Sequence, residues 1–293
     1  MSAPAGCRRH LLVLPSVVCA TRVAADIADE LGAVTITHQH GCSQVGDDGL
    51  QTRAAFELLA CNPNVAAAIV VSLGCETVQG SSLAAAIGER GRRVEFAGIQ
   101  MQGGSRACVS HGVEVGSAML RAIASEPHAP PALGEVVIGI EASHASPLAA
   151  AFADRALAEG AAVVQSAASP GIRAGSASLA AFTAAAAPGT STALTRAGRG
   201  TQQHVALAAA GAQVIVAFPA LDDAPVGFAV CPVIAVAGSS PLHAALGDDF
   251  DLAPDATVDD LWALTLAVLS GAETAAEARG SRVFALDRLA MSM

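Results

Sequence analysis

The sequence lacks lysine and tyrosine altogether. All 16 basic residues among its 293 residues are arginines. Without lysine the protein cannot form a Schiff base with a carbonyl substrate or a pyridoxal cofactor, and it has no P-loop lysine for a nucleotide phosphate. Without tyrosine it has no phenol to act as an acid or a base. These classes of active site are therefore excluded.

Positive charge is scarce as well. The 16 basic residues face 26 acidic ones, which gives a formal net charge of −10, whereas nucleic-acid-binding surfaces need clustered Lys and Arg. No uninterrupted apolar run reaches the ~18 residues that a transmembrane helix requires. The segment after Arg8 resembles a signal peptide only superficially, because Pro15 interrupts its apolar run. We therefore expect a cytoplasmic protein with neither a nucleic-acid nor a membrane partner.

The seven cysteines show no regular short spacing. Their odd number and the length of the chain argue against a disulfide framework. Cys19 and Cys75 each lie where a predicted strand enters a helix, a position that lowers a thiol pKa and favours the thiolate. Free cysteines also behave as small buried hydrophobic residues. Both interpretations stay open for these two thiols.

The first half of the chain alternates short apolar runs with segments of helical periodicity. Apolar strands separated by helices are typical of a parallel sheet covered on both faces, and right-handed crossovers make such a sheet doubly wound. We predict a Rossmann-like α/β domain over residues 1–126. Its predicted strands are 11–18, 33–37, 65–72 and 94–99, and its predicted helices are 21–31, 47–60, 76–90 and 105–125.

A proline-rich segment at 126–134 is the best candidate for a linker, because prolines and glycine break a helix. Beyond it the alternation resumes, and we predict a second α/β domain over 134–293 that completes the binding cleft. Its predicted strands are 136–140, 163–166, 214–218 and 233–237, and its predicted helices are 147–159, 203–210 and 258–270, the last capped near Asp259. The Ala/Ser/Gly-rich stretch after 166 predicts no defined element.

Polar and reactive side chains follow four successive strands of the first half. In a parallel sheet, ligands bind at the carboxyl ends of the strands, where a sheet without a site needs only turn-forming residues. This convergence is the strongest functional signal in the sequence. The residues are Ser16 and Cys19, then His38, His40, Cys42 and Gln44, then Cys75 and Glu76, and finally Gln100, Gly103, Gly104 and Ser105.

The segment THQHGC allows two interpretations. His38 and His40 are two residues apart, so on an extended chain their side chains point to the same side, and Cys42 repeats that period if the chain stays extended. With Glu76 nearby, such a set suits Zn²⁺ or Fe²⁺, or Mn²⁺ if oxygen ligands predominate. Alternatively, both imidazoles are hydrogen-bonded turn residues.

Two other segments are weaker candidates for binding. Gly103 and Gly104 precede a predicted helix, whose N-terminus suits an anion such as a carboxylate. In the second half, Glu141, Ser143 and His144 follow a predicted strand. They either complete a site across the domain cleft or belong to a surface loop.

Four segments of the first half occur together in a specific order. They are LLVLPSVVC (11–19), ITHQHGC (36–42), NPNVAAAIVVSLGCE (62–76) and IQMQGGS (99–105). In this order they resemble the core region of the altronate/galactarate dehydratase family, which includes the large subunit of sulfolactate sulfo-lyase. A weaker similarity continues through AAAGAQVIVAF (208–218), PVIAVAG (232–238) and LSGAETAAEARGSRVFAL (269–286).

The resemblance implies an enzyme that eliminates water or sulfite from hydroxy acids and depends on Fe²⁺ or Mn²⁺. It implies that His38, His40, Cys42, Cys75, Glu76, Gln100 and Gly103–Gly104 lie at or near the functional site. The chain also departs from the family. EASHAS (141–146) stands where the family has Cys-Gly-Gly-Ser-Asp, and PALDD (219–223) stands where it has Thr-Thr-Gly-Arg-Gly. We further expect the family's small N-terminal domain to be missing.

We therefore predict a metal-dependent hydro-lyase that performs β-elimination on a small hydroxy acid such as a sugar acid. His38 or His40 removes the α-proton, Glu76 is a third catalytic residue, and a divalent cation stabilises the enolate-like intermediate. The predicted cation is Fe²⁺ or Mn²⁺, with Zn²⁺ as an alternative, and its predicted ligands are His38, His40, Cys42 and Cys75. The predicted substrate-binding residues are Ser16, Arg22, Gln44, Gln100, Gly103, Gly104 and Ser105.

Two other hypotheses remain open at this point. The chain is a carboxylate-binding or regulatory relative without turnover, as its altered second-half segments would allow, or it is a large subunit that needs a separate small subunit. We also expect a homodimer, because 53% of the residues are hydrophobic.

Overall fold

A computed structural model describes residues 5–44, 46–144, 146–166, 189–194 and 200–286. The chain divides into two compact units. Of the described residues, 9–128 form the first unit, and 5–8 form the second together with those between 129 and 286. Among the described residues, no helix combines the length and the apolar character that crossing a membrane requires.

The first unit contains a four-stranded parallel sheet. Its strand order is β2-β1-β3-β4, so β1 and β3 are the central pair. Because β2 lies on one side of β1 while β3 and β4 lie on the other, the winding direction reverses between β1 and β3. The strands are β1 (His10–Pro15), β2 (Val34–Thr35), β3 (Val65–Ser72) and β4 (Arg93–Gly98).

Helices cover both faces of this sheet. They are α1 (Thr21–Leu31), α2 (Asp47–Ala60), α3 (Gly80–Glu89) and α4 (Ser105–Ser125). Leu11, Val13 and Ile69 share a core with buried residues of α1 and α4, while the alternate side chains of β1 and β3 are buried on the opposite face. The predicted doubly wound α/β fold is confirmed.

Two glycines of α4 allow it to lie close to α1. A Cβ atom at Gly112 would overlap the side chain of Ile27, and one at Gly116 would overlap that of Leu31. The two glycines are four residues apart and therefore share one face of the helix. Larger residues at these positions would push α4 away from the sheet, because interiors are close-packed.

Three predicted boundaries shift at the carboxyl edge of the sheet. The first strand ends at Pro15, and Val18–Ala20 form a 3₁₀ turn instead of continuing it. The second strand is only two residues long. The third helix begins at Gly80 and not at residue 76. In the first and third cases, residues left out of the regular element make hydrogen bonds at the edge of the sheet, as described below.

The second unit contains a five-stranded parallel sheet of order β7-β6-β5-β8-β9. The winding direction reverses between β5 and β8, since β6 and β7 lie on the other side of β5. The strands are β5 (Val137–Ala142), β6 (Ala162–Ser166), β7 (Ser191–Leu194), β8 (Val214–Phe218) and β9 (Val233–Ala235). Much of the Ala/Ser/Gly-rich stretch after β6 lies outside the described residues.

The helices of the second unit include two short ones that the sequence did not predict, α7 and α9. The full set is α5 (Pro147–Ala158), α6 (Thr201–Ala209), α7 (Ser240–Leu246), α8 (Val258–Leu269) and α9 (Ala275–Ala278). The predicted cap of α8 near Asp259 is Thr257, which forms a capping box with Asp260. Phe152 of α5 and Trp262 of α8 pack in the core with their ring centroids 6.1 Å apart.

Residues before β1 complete the second unit. Cys7 belongs to the core of that unit and its thiol donates to the carbonyl of Gln213. The guanidinium of Arg8 donates to both carboxylate oxygens of Glu277 at 2.8 Å. The next residue, Arg9, pairs instead with Glu126 in the first unit, at 3.1 Å. The change of unit therefore falls between two adjacent arginines.

Candidate functional site

The ends of β1, β2 and β3 in the first unit are tied together by backbone hydrogen bonds. The amide of Val18 donates to the carbonyl of His40 at 2.9 Å, and the amide of Thr77 donates to the carbonyl of Gly41 at 3.0 Å. Gly41 has a φ of 90°, and a Cβ atom there would overlap the carbonyl oxygen of Ser16. Only glycine fits this conformation and this close approach.

Glu76 is the most strongly held side chain of this edge. Only 2% of it is exposed. It accepts hydrogen bonds from the amide of Gly74 at 2.6 Å and from the hydroxyl of Ser16 at 3.1 Å. Burial alone would raise the pKa of its carboxyl, but the hydrogen bonds from Gly74, Ser16 and the amide of Gly80 hold that pKa below its ordinary value. Glu76 is therefore a carboxylate that joins the end of β1 to the turn before α3.

His38 uses both ring nitrogens in bonds to the backbone. Its Nε2 donates to the carbonyl of Pro15 at 2.7 Å, and its Nδ1 accepts from the amide of His40 at 3.1 Å. The ring packs on Phe56 of α2 at 4.6 Å between centroids. Burial lowers the pKa of His38 to about 4. The imidazole is neutral at physiological pH and holds the extended residues after β2 against β1.

His40 is held by a side chain instead. The amide nitrogen of Gln44 donates to His40 Nδ1 at 3.2 Å, and the Gln44 oxygen accepts from the amide of Gly41 at 2.7 Å. Since an amide nitrogen only donates, His40 Nδ1 accepts, and a neutral ring carries its proton on Nε2. His38 is thus bonded to the backbone through both ring nitrogens, whereas the side chain of Gln44 orients the ring of His40.

The end of β4 supplies an amide and an uncapped helix N-terminus. The Gln100 side chain lies against Gly74, where a Cβ atom would overlap its oxygen. Gly104 is the N-cap of α4 and makes no side-chain capping bond. Positions for a Cβ atom on Gly103 and Gly104 are open. The first amides of α4, starting at Ser105, therefore stand at an accessible positive helix end.

Three predicted site residues stand apart from these contacts. Arg22 is exposed on α1 and pairs with Asp26 at 2.8 Å. Cys42 and Cys75 are free and exposed, and the thiol of Cys42 lies 3.7 Å from the Ser43 hydroxyl. The roles of these three residues in binding substrate or metal stay predictions.

The metal set predicted from the sequence does not fit an ion as it is arranged. Within the described ranges, no three His, Cys, Asp or Glu side chains form a group that could hold a metal. Both ring nitrogens of His38 are already bonded to the backbone. We therefore derive no chemical step through a metal.

Sequence reasoning missed the glycines that shape this edge. A Cβ atom at Gly80 would overlap the side chain of Ser72 and press on the Ser16 hydroxyl. Together with Gly74, it lets the turn before α3 approach the neighbouring strands. A glycine on each side of Glu76 at a strand-to-helix turn is the signal that would have predicted this close approach.

A comparison with known protein families matches the part of the chain that contains these strand ends. Residues 2–124 match the sequence model described as "D-galactarate dehydratase/Altronate hydrolase, second domain". The first unit is similar to this family over most of its length. The predicted resemblance to altronate and galactarate dehydratases is thereby confirmed, and all of the strand-end residues discussed above lie inside the matched range.

Two curated relatives are both named altronate dehydratase. The protein of Escherichia coli (strain K12) is 27% identical over 175 residues, which is 53% of this chain and 35% of the relative. That of Bacillus subtilis (strain 168) is 28% identical over 184 residues, which is 55% of this chain and 36% of the relative. The chain thus spans about a third of the length of the curated relatives it matches.

Proposed function

We propose that this protein is a hydro-lyase acting on a sugar acid of the altronate or galactarate type, with its reaction site at the strand ends of the first unit. The single observation that carries the proposal is that the family match and the His40–Gln44–Glu76 edge fall on the same unit. The name of the two relatives supports the substrate class.

In the proposed reaction, a base removes the proton from the carbon next to the substrate carboxylate. The hydroxyl group on the neighbouring carbon takes up the proton that the base has removed and leaves as water, and the resulting enol converts to a 2-keto acid. We assign the base to His40, whose ring Gln44 orients at Nδ1. Before Nε2 can accept the substrate proton, the ring must carry its own proton on Nδ1, with the Gln44 amide turned so that its oxygen accepts that proton. The accessible N-terminus of α4 favours the substrate carboxylate, as helix N-termini favour anions.

Gln44 is a positioning residue in this scheme. It holds the imidazole and the amide of Gly41 at the same time. Its loss should lower kcat more than it changes KM, because the base would keep its chemistry and lose its orientation.

The test is product formation from altronate and galactarate, followed as 2-keto acid. His40→Gln should reduce kcat by about 10²-fold or more, which is the usual contribution of a general base. His128→Gln is the matched control, because His128 is exposed in the segment after α4. Equal rates for the two variants, or an equal loss in both, would contradict the assignment of His40.

A second function is favoured by a specific observation: both nitrogens of His38 and both oxygens of Glu76 are engaged in hydrogen bonds within the unit. Two of the three predicted catalytic side chains are thus occupied structurally. The alternative is a carboxylate-binding relative without turnover. Stabilisation by a sugar acid in thermal unfolding, with no keto acid formed, would identify it.

Metal dependence and subunit composition stay predictions. The assay therefore includes separate arms with Fe²⁺, Mn²⁺ and Zn²⁺ added under anaerobic conditions, and an arm with a chelator. Homodimer formation is measured by light scattering, and a separate small subunit would appear by co-purification from the native host and would raise turnover when added back.

A further inference from the structure

A pocket in the second unit lies at the reversal point of the sheet, outside the family match. It occupies about 350 Å³ between the ends of β5 and β8. In doubly wound sheets the crevice at such a reversal point is the usual place for a ligand. Its polar lining comes from Glu141, Ser143, Thr201, His204 and Asp223, and its apolar lining includes Pro219 and Val226.

His204 is a buried lining residue whose ring nitrogens a ligand in this pocket would pair. Only 1% of it is exposed, and neither of its ring nitrogens has a hydrogen-bond partner in the described residues. Its Nε2 lies 4.0 Å from a Glu141 oxygen, which is beyond a hydrogen bond. A buried polar atom left unpaired loses the hydration it has in the unfolded chain and gains nothing in return. A hydroxyl oxygen placed about 2.8 Å from both atoms would bridge them and pair both.

Glu141 presents its second carboxyl oxygen to the same space. The first oxygen accepts a hydrogen bond from the Ser143 hydroxyl at 2.6 Å. Burial raises the pKa of this carboxyl, the bond from Ser143 opposes the rise, and the nearby charge of Asp223 adds to it, so that the pKa is about 7. At neutral pH the carboxyl therefore exists both as an acceptor and as a donor. Burial also lowers the pKa of His204 to about 4, so the imidazole is neutral and offers one donor and one acceptor.

The charge of the pocket selects among ligands. The described residues that line it include two carboxyl groups, Glu141 and Asp223, and no arginine. Among the described lining residues, a ligand carboxylate would meet repulsion from these two groups and no positively charged side chain. A cation would leave the imidazole donor unpaired and would lie beside the N-terminus of α6, whose cap Gly200 makes no side-chain bond. Hydroxyl groups both donate and accept, and they match this mixed set.

We propose that this pocket is a second ligand site, which binds an uncharged polyhydroxy compound such as a sugar or an alditol through His204, Glu141 and Ser143. The residues that line the pocket belong to the second unit, and the proposal does not rest on the lyase activity. The apolar lining residues would contact the carbon face of the ligand while its hydroxyls bond the polar ones.

The full-length protein can be titrated with polyhydroxy ligands of similar size that differ in charge: glucitol, gluconate and glucosamine, and xylitol with xylonate. Binding is followed by calorimetry and by the imidazole resonances of ¹⁵N-histidine-labelled protein, with the His204 signal assigned from its loss in His204→Gln. We expect a neutral member to shift the His204 resonance. Glu141→Gln should weaken that binding about tenfold, because one charge-assisted hydrogen bond is lost. Glu135→Gln, an exposed position in the same unit, should leave it unchanged.

The proposal fails if no neutral member shifts the His204 resonance at tens of millimolar, or if gluconate or glucosamine binds more tightly than the neutral member of its set. It also fails if Glu141→Gln and Glu135→Gln have equal affinity. If His204→Gln does not fold, the His204 resonance cannot be assigned from it. The affinity of Ser143→Ala for the neutral ligand, measured by calorimetry, then replaces that variant, because Ser143 is only half-buried. His40→Gln should leave this binding intact, so the failure of one site is distinguishable from the failure of the other.

Discussion

Replacing Glu141 with glutamine should stabilise the protein, and the gain should depend on pH. The carboxyl is 2% exposed, and the structure holds its pKa near 7, where an unfolded chain would have 4.5. Below pH 4.5 both states carry the proton and the group has no effect on stability. Between pH 4.5 and 7 the unfolded state releases its proton first, so the free energy of unfolding falls as pH rises. Glutamine does not ionise, so Glu141→Gln removes this fall in the free energy of unfolding.

The shift sets the size of the effect. A rise from 4.5 to about 7 corresponds to at most about 3.5 kcal/mol in the free energy of unfolding, at about 1.4 kcal/mol per unit. The stabilisation in Glu141→Gln should therefore be near zero at pH 4.5, grow up to pH 7 and stay constant above it. Glutamine keeps an acceptor for the Ser143 hydroxyl, so the existing hydrogen bond survives. His204 is neutral in the folded state across this range, and its titration in the unfolded state cancels between the two proteins.

Urea denaturation at a series of pH values measures this difference. The chain has one tryptophan, and Trp262 lies in α8 of the second unit. Its fluorescence therefore reports the unit that contains Glu141. Equal slopes of free energy against urea concentration in the two proteins are the condition for comparing their midpoints.

Glu135→Gln is the control, because it makes the same chemical change at an exposed site. Its difference from the wild type should stay within about 0.5 kcal/mol at every pH, as surface substitutions usually do. The reasoning is refuted if the stabilisation of Glu141→Gln relative to the wild type is no larger at pH 8 than at pH 5. It is also refuted if the variant is less stable than the wild type at every pH. In either case the pKa of the Glu141 carboxyl is not raised in the folded protein.

Three further outcomes are expected. His38→Ala should lower the free energy of unfolding by about 3 kcal/mol, because it breaks two backbone bonds and opens a cavity beside Phe56; a loss below about 1 kcal/mol would contradict this. Gly116→Leu should cost at least about 2 kcal/mol by overpacking α4 against α1, and an unchanged melting temperature would argue against the close approach. In the native protein Cys19, Cys42 and Cys75 should react at once with a thiol reagent, and a count of fast thiols below three would disagree with their exposure.

Periodicity predicted the first unit well, because its strands are buried on both faces and its helices are long. Helices α1, α2 and α4 have the predicted bounds. The errors fall where tertiary hydrogen bonds override local preference. Residues 76–79 have a helical pattern, but Glu76 bonds Ser16 and Gly74, so α3 starts at Gly80. The short helices α7 and α9 of the second unit have too few turns to show a period.

The sequence also predicted that polar residues gather at one sheet edge, but it could not assign their bonds. The spacing of two residues suggested that His38 and His40 have equivalent roles. In the structure, backbone groups bond both ring nitrogens of His38, and the side chain of Gln44 bonds His40. In the second unit, Glu141 and Ser143 were singled out as residues after a strand, and their partner His204 was not. His204 lies 63 positions further along, inside an apolar helix, so only the fold brings it to Glu141.

The division between Arg8 and Arg9 has a consequence for how the chain is made. Residues 9–128 form a continuous insertion into a unit whose pieces come from either side of it. During synthesis the ribosome releases the inserted unit first, and it can fold at once, since domains generally fold as units. Cys7 and Arg8 emerge before it but have no place to bind until α8 and α9 have been synthesised. Cys7 and Arg8 are thus made before the inserted unit but reach their native positions after it.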